Sequence, residues 1–276
     1  MTGPPSDDAF PQRLLAVRET RARLPEIVRN RHVARRRRSW VGHDGRLLLL
    51  DVPSAQVDRD DLLRRLVTAV TTRGVDGVIA SADIVDDLLL LEALDDRLVV
   101  GVMNRDGAYT GYDVETIAAT HLDAGLLACD LDRDDPGDVA PIEAYARILT
   151  GLAAQGVVAI VALSGERGGG SLVRTVVRAA SLGGRSSYTW LAVPLADGLA
   201  DVTSATTLPV LLVADTTTPA PAAIPAEWER GLAVAGVRGL IVGPSVLFPP
   251  DGDVAAAATR AARLVHGEPP RRDDPA

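Results

Sequence analysis

Four aspartates follow short apolar runs: Asp51 after residues 46–50, Asp130 and Asp132 around the end of the run 126–131, and Asp215 just after 209–213. Carboxylates that converge can serve as general acid and base. They also suit Mg²⁺ or Mn²⁺, hard cations that polarise a carbonyl or stabilise an enolate. Asp51, Asp130 and Asp215 are therefore the candidate catalytic groups, and Asp130 with Asp132 the candidate metal ligands. The competing reading is structural, because an aspartate at that place caps the next helix or pairs with arginine. Asp132-Arg133-Asp134-Asp135-Pro136 is itself a helix-start sequence. Asn104-Arg105 and Gly243-Pro244-Ser245 are candidates for holding a substrate oxygen or a phosphate through side-chain and backbone donors. Pro244 removes one of those donors, and a loop anchor or a helix cap explains both stretches equally well. Glu166-Arg167-Gly168-Gly169-Gly170 has no Gly-Lys-Ser/Thr ending and is no P-loop.

The most decisive chemistry is absent. All 29 basic residues other than histidine are arginine, and the 276 residues contain no lysine. Imine catalysis needs a primary amine on a side chain. Arginine cannot supply it, since its pKa exceeds about 12 and it stays protonated. Of the histidines (His32, His43, His121 and His266), none ends a predicted strand, which argues against a histidine zinc site. Cys129 lies inside a predicted strand with no evident base beside it.

These groups need a scaffold, and the composition bounds it. A chain that is 47% hydrophobic and 24% charged, with net charge −8, is globular. Its length fits one or two domains, or one (β/α)8 barrel of about 250 residues. One cysteine cannot form an internal disulfide, which fits a reducing compartment. The first twelve residues have no basic stretch leading into an apolar run, and no apolar stretch approaches the ~20 residues that span a bilayer. A cytoplasmic protein is expected. The run Arg35 to Arg38 reads either as an anionic-partner or nucleic-acid patch or as a solvated helix end. No nucleic-acid reading motif accompanies it, which favours the second.

Short apolar runs alternate with helical periodicity. Residues 46–51, 77–81, 98–102, 126–131, 157–163, 188–193, 209–213 and 239–242 read as strands. Residues 60–72, 84–94, 114–120, 139–155, 172–182, 198–205, 226–234 and 254–265 read as the helices that follow them. The strands are continuously apolar, as strands buried on both faces must be. Gly74, Gly156 and Gly236 mark turns from helix into strand. Eight such units predict a single TIM-like (β/α)8 barrel, residues 13–266 with a leading helix over 11–38, between disordered stretches 1–12 and 267–276. No GxGxxG follows the first strand, against a dinucleotide-binding sheet. In such a barrel the chemistry sits at the C-terminal ends of the strands.

Residues 74–105, Thr110-Gly111-Tyr112-Asp113, Ser187-Tyr188-Thr189-Trp190-Leu191 and residues 239–254 together resemble an actinobacterial group of (β/α)8 proteins. That group is related to deoxyribose-phosphate aldolase and other class I aldolases, and is associated with inositol or sugar catabolism. The similarity runs from about Leu24 to Leu264. It implies carbon–carbon lyase chemistry on a sugar or sugar phosphate. It also implies a lysine after Thr-Trp-Leu of the sixth strand, where this chain has Ala192. A Gly-Gly-Lys of the group corresponds to Ala124-Gly125-Leu126. An acidic residue on its fifth strand is replaced within Val161-Ala162-Leu163. Gly-Arg-Ser on its eighth strand corresponds to Gly243-Pro244-Ser245. Two functions follow as expectations. One is a divergent aldolase-like protein of carbohydrate metabolism without Schiff-base capability. The other is an inactive paralogue that acts as a binding subunit or as the partner of an active aldolase. A homo-oligomer fits either, and no membrane partner is implied.

Overall fold

The computed structural model describes residues 9–53, 58–104, 111–131, 139–163, 169–214 and 224–267. Two helices come first, α1 (Phe10–Arg23) and α2 (Pro25–Ala34). The periodicity predicts one helix here, but Pro25 divides it. Proline has no N–H to give, and the residue before it is driven out of the helical region, so Leu24 adopts φ −140°.

Eight units follow: β1 (Leu47–Asp51) and α3 (Arg59–Thr71), β2 (Gly77–Ala80) and α4 (Ala82–Leu90), β3 (Leu98–Val102) and α5 (Val114–Ala119), β4 (Ala124–Cys129) and α6 (Val139–Ala154). The second half is β5 (Val158–Leu163) and α7 (Gly169–Ala180), β6 (Thr189–Pro194) and α8 (Leu199–Ser204), β7 (Val210–Val213) and α9 (Ile224–Leu232), β8 (Val237–Val242) with α10 (Pro244–Leu247) and α11 (Val254–His266). Every pairing is parallel and β8 pairs with β1, which closes the barrel. At that seam Gly239 adopts φ +146°, and a Cβ there would lie 1.9 Å from the Leu47 carbonyl oxygen, so only glycine lets β8 approach β1. Among the described residues no helix is long and apolar enough to cross a membrane.

Side chains alternate along each strand. One set, including Leu47, Leu49, Ile79, Val100, Leu126, Ile160, Ala192, Leu211 and Ile241, fills the barrel interior. The other, including Leu48, Leu50, Val78, Val99, Leu127, Val161, Leu191 and Leu240, packs against the helices.

The N-terminal end of the barrel is closed by the segment between α2 and β1. Trp40 and Val41 pack against the interior residues. The Trp40 ring meets Trp190 edge-on, with centroids 5.7 Å apart. The basic run lies just before them and is paired internally. Asp76 and Asp123 immediately precede β2 and β4, and Asp96 stands two residues before β3. Arg38 binds Asp76, Arg36 binds Asp96, and Arg35 and Arg37 bind Asp123 at 2.8 and 2.9 Å. Asp76 and Asp123 also accept from the Leu48 and Val99 amides at 2.7 and 2.8 Å, so each clasp holds two strands in register.

These pairs differ in worth. The Arg35 side chain is 1% exposed and also donates to the Arg97 and His121 carbonyls. Arg35→Ala is expected to destabilise by about 1–3 kcal/mol: Asp123 keeps Arg37 and the Val99 amide, but the Arg97 and His121 carbonyls lose their buried donor. Arg36→Ala, on an exposed pair, is expected to change stability by less than about 1 kcal/mol. Urea unfolding separates the two.

His266, at the end of α11, places Nδ1 2.5 Å from Asp44 and Nε2 3.1 Å from Asp76, the latter close but not aligned as a hydrogen bond. Burial disfavours its imidazolium, yet the two carboxylates outweigh burial and hold its pKa above the ordinary value. The stability this gives is full below about pH 6.5, the unfolded value, and is lost as pH rises through the raised folded value. Melting temperature is expected to fall over that window, and His266→Gln to remove that part of the slope.

Candidate functional site

The interior alternation, carried to the C-terminal ends of the strands, lines the mouth. It brings Asp51 after Leu47 and Leu49, Asp130 after Leu126 and Ala128, and Gly243 after Ile241 to interior positions. Asp51 is half-buried and Asp130 exposed. They stand on β1 and at the end of β4, so a ligand in the mouth would lie between strands from two sides of the barrel. Arg105, Asp132 and Asp215 lie outside the described residues, as do Glu166 and Arg167. Among the described residues no group of three or more His, Cys, Asp or Glu side chains is placed to hold a metal.

Ala192 is fully buried and belongs to the interior set. Its register partners are Ala162 on β5 and Leu211 on β7, and Ala162 in turn pairs with Ala128 on β4. Three alanines thus stand side by side across β4, β5 and β6. Leu126 is inside as well. Positions 126 and 192, where the resemblance implies lysines, and Ala162, the inward member of the run 161–163 within which it implies an acid, therefore carry only hydrocarbon. No proton donor, acceptor or nucleophile projects from them.

Asn104 has another task. It is 2% exposed; its Nδ2 donates to the Ala128 carbonyl, and its Oδ1 accepts from the Ala128 amide, both at 2.7 Å. The side-chain amide acts as one more rung of the ladder between β3 and β4. This explains an asparagine two residues past the end of β3, and periodicity alone does not reveal it.

At β8, Gly243 is buried and its carbonyl accepts from the Val246 and Leu247 amides, which starts α10. Ser245 is half-buried in that single turn. Arg65 secures the turn from outside: its guanidinium lies 5.1 Å from the Phe248 ring centroid, donates to the Leu247 carbonyl and pairs with Asp61. A four-residue helix carries too little periodicity to be read in sequence, and Arg65 was recognisable only as part of an amphipathic helix.

At the end of β2, Ser81 and Arg59 both bind Asp83. Burial opposes ionisation of Asp83, but the Ser81 hydroxyl and Arg59 prevail and hold its pKa below the usual carboxylate range. Arg59 also binds Asp87, which receives Arg21 of α1 as well. This network fastens the leading helices to α3 and α4. His32 pairs with Asp86 in the same region. The backbone carbonyl of His121 receives Arg35, and His43 and His266 lie at the N-terminal face, so none of the four histidines stands at the mouth. Cys129 points toward the helices, and its burial pushes the thiol pKa up.

Residues 42–262 match the family model described as Cgl0159-like. The crystal structure of Cgl0159 from Corynebacterium glutamicum is 35% identical, covers 93% of this chain and 97% of its own, and superposes with a TM-score of 0.85. An archaeal fructose 1,6-bisphosphate aldolase is 17% identical over 87% of this chain and 100% of its own, with a TM-score of 0.63. An archaeal fructose-1,6-bisphosphate aldolase with its catalytic lysine covalently bound to the carbinolamine intermediate is 16% identical over 86% of this chain and 99% of its own, with a TM-score of 0.62. At that identity the two aldolases share the fold. No curated protein matches the sequence.

The clamp role of Asn104 has a direct check. Asn104→Leu leaves both Ala128 backbone groups without their partner, and a loss of about 2–3 kcal/mol is expected in chemical unfolding. A change of a few tenths would return Asn104 to the ligand-binding set.

Proposed function

This chain belongs to the Cgl0159-like family, and we propose that it binds a phosphorylated sugar or related carbonyl compound in its barrel mouth without forming an imine. The observation that carries the reading is Ala192: the place of an imine-forming lysine faces the barrel interior and ends in a methyl group. Nothing else in the sequence substitutes, since no side chain is a primary amine.

Without an amine, a carbonyl substrate can be activated by proton transfer beside it. Asp51 and Asp130 are the ionisable groups that the strand alternation sends toward the mouth, and they are the proposed acid–base pair. With Asp215 they make the carboxylate set expected from the sequence. Asp130 and Asp132 are where Mg²⁺ or Mn²⁺ would be held, and such an ion, when bound, would polarise the carbonyl. Gly243 and Ser245 open the short helix after β8, a place where barrels of this class often hold phosphate, and with Arg105 they are the proposed phosphate contacts. The wholly apolar row at Leu126, Ala162 and Ala192 favours a second reading, a binding or partner subunit of an active aldolase.

Dihydroxyacetone phosphate, with and without Mg²⁺ or Mn²⁺, is expected to raise the melting temperature. Borohydride added to that mixture is expected to leave no adduct except at the N-terminal amine. An adduct mapped to an internal peptide would refute the proposal, and an unchanged melting temperature would remove the binding site. Metal-dependent or metal-free turnover that falls at least about a hundredfold in Asp51→Asn or Asp130→Asn supports the acid–base roles. Inactivity alone, with stabilisation of a lysine-bearing aldolase of this fold on mixing, supports the partner reading.

A further inference from the structure

A cavity of about 400 Å³ opens on the N-terminal face, opposite the mouth. Its walls come from the segment before β1, the turn between α3 and β2, and the last turns of α11. Five basic side chains line it, Arg38, His43, Arg73, Arg263 and His266, against two carboxylates, Asp44 and Asp76.

The two carboxylates are already engaged. Asp76 takes Arg38, the Leu48 amide and His266. Asp44 takes His266 and the Arg46 amide. Arg73, Arg263 and His43 are exposed, and among the described residues their side chains have no hydrogen-bond or ion-pair partner. The chain carries 37 acidic residues against 29 arginines, so two unpaired guanidinium groups around one concavity run against its average. The wall between them is glycine: Gly74 has φ +89°, and a Cβ there would lie 2.8 Å from the Ala262 Cβ and 3.8 Å from His266. A side chain at 74 would press on α11 and narrow the cavity.

We propose that this cavity is an anion site for a small phosphate monoester, with Arg73 and Arg263 as its principal contacts and His43 at its rim. Guanidinium forks match phosphate oxygens, and charge-assisted bonds of this kind are among the stronger polar contacts. The volume lies within the range of small-ligand sites. The dianion would sit beside His266, which faces Asp44, Asp76, Arg38 and Arg263. Negative charge added there raises the proton affinity of His266. By reciprocity the site binds more tightly as pH falls through the His266 titration.

The test is calorimetric titration with inorganic phosphate and with ribose 5-phosphate, in chloride buffers of matched ionic strength. Wild type is expected to bind both at pH 8, where each is a dianion, and to bind sulfate, a dianion at both pH values, more tightly at pH 6 than at pH 8. The double variant Arg73→Gln/Arg263→Gln, at two exposed positions that hold nothing else in place, is expected to bind inorganic phosphate at least about tenfold more weakly. Arg36→Gln, on the same face but paired with Asp96, is expected to bind as wild type does. The ring protons of His266 in NMR are expected to titrate at higher pH when phosphate is present. Binding undiminished in the double variant, equal loss in Arg36→Gln, or no difference between phosphate and chloride would overturn the proposal. Binding of ribose 5-phosphate that survives the double variant while inorganic phosphate binding is lost would place the sugar ester at the mouth instead and leave this site to free phosphate.

Discussion

A closed eight-stranded barrel fills its own interior with side chains, and this constraint governs the molecule. Each strand must turn alternate residues inward, and those residues must together fill the space without voids. Register is thereby fixed all the way round, because a slip of one residue would exchange the inner and outer sets. The same rule decides which side chains can meet a ligand. Whatever stands at an inward position near the C-terminal end of a strand faces the mouth. At Leu126, Ala162 and Ala192 that means hydrocarbon.

The two ends of the barrel divide their work. The N-terminal end is held by an arginine-bearing segment whose partners are the aspartates in front of β2, β3 and β4. Two of those aspartates also bind strand amides, so the charges stabilise the pairing of the strands themselves. Two tryptophans fill the interior just above. With the fold secured there, the opposite end is free to vary. An asparagine that clamps β3 to β4 and an arginine that steadies the turn after β8 keep the rim of the mouth in shape.

Much of this was legible from residue types alone. Strands buried on both faces leave unbroken apolar runs, so all eight are legible, with β4 and β8 displaced. β8 begins at Val237 and β4 at Ala124, each two residues before the run that signals it. Ala124 and Gly125 carry little strand propensity. Gly125 is needed nonetheless, since a Cβ there would lie 2.7 Å from the Met103 sulfur. The inward direction of residue 192 comes from the fold, which puts Ala192 in the interior set. What stayed hidden depends on distant partners. Arg35 and Asp123 are 88 positions apart, so the basic run looked like surface until the fold joined them. The bonds from Asn104 to the Ala128 backbone on the neighbouring strand leave no trace in the sequence either. Arg105, Asp132 and Asp215 fall outside the described residues, and their expected roles rest on the sequence.

The account stands on the direction and surroundings of one residue. Ala192 is flanked by Ala162 and near Ala128, so a longer side chain there has small neighbours. A lysine at 192 would be desolvated, which lowers an amine pKa and favours its nucleophilic form. The most direct measurement is therefore peptide mapping of Ala192→Lys after treatment with dihydroxyacetone phosphate and borohydride. A reduced adduct on the peptide that contains residue 192 is the predicted result. A folded, ligand-binding variant with no adduct at 192 would contradict the account.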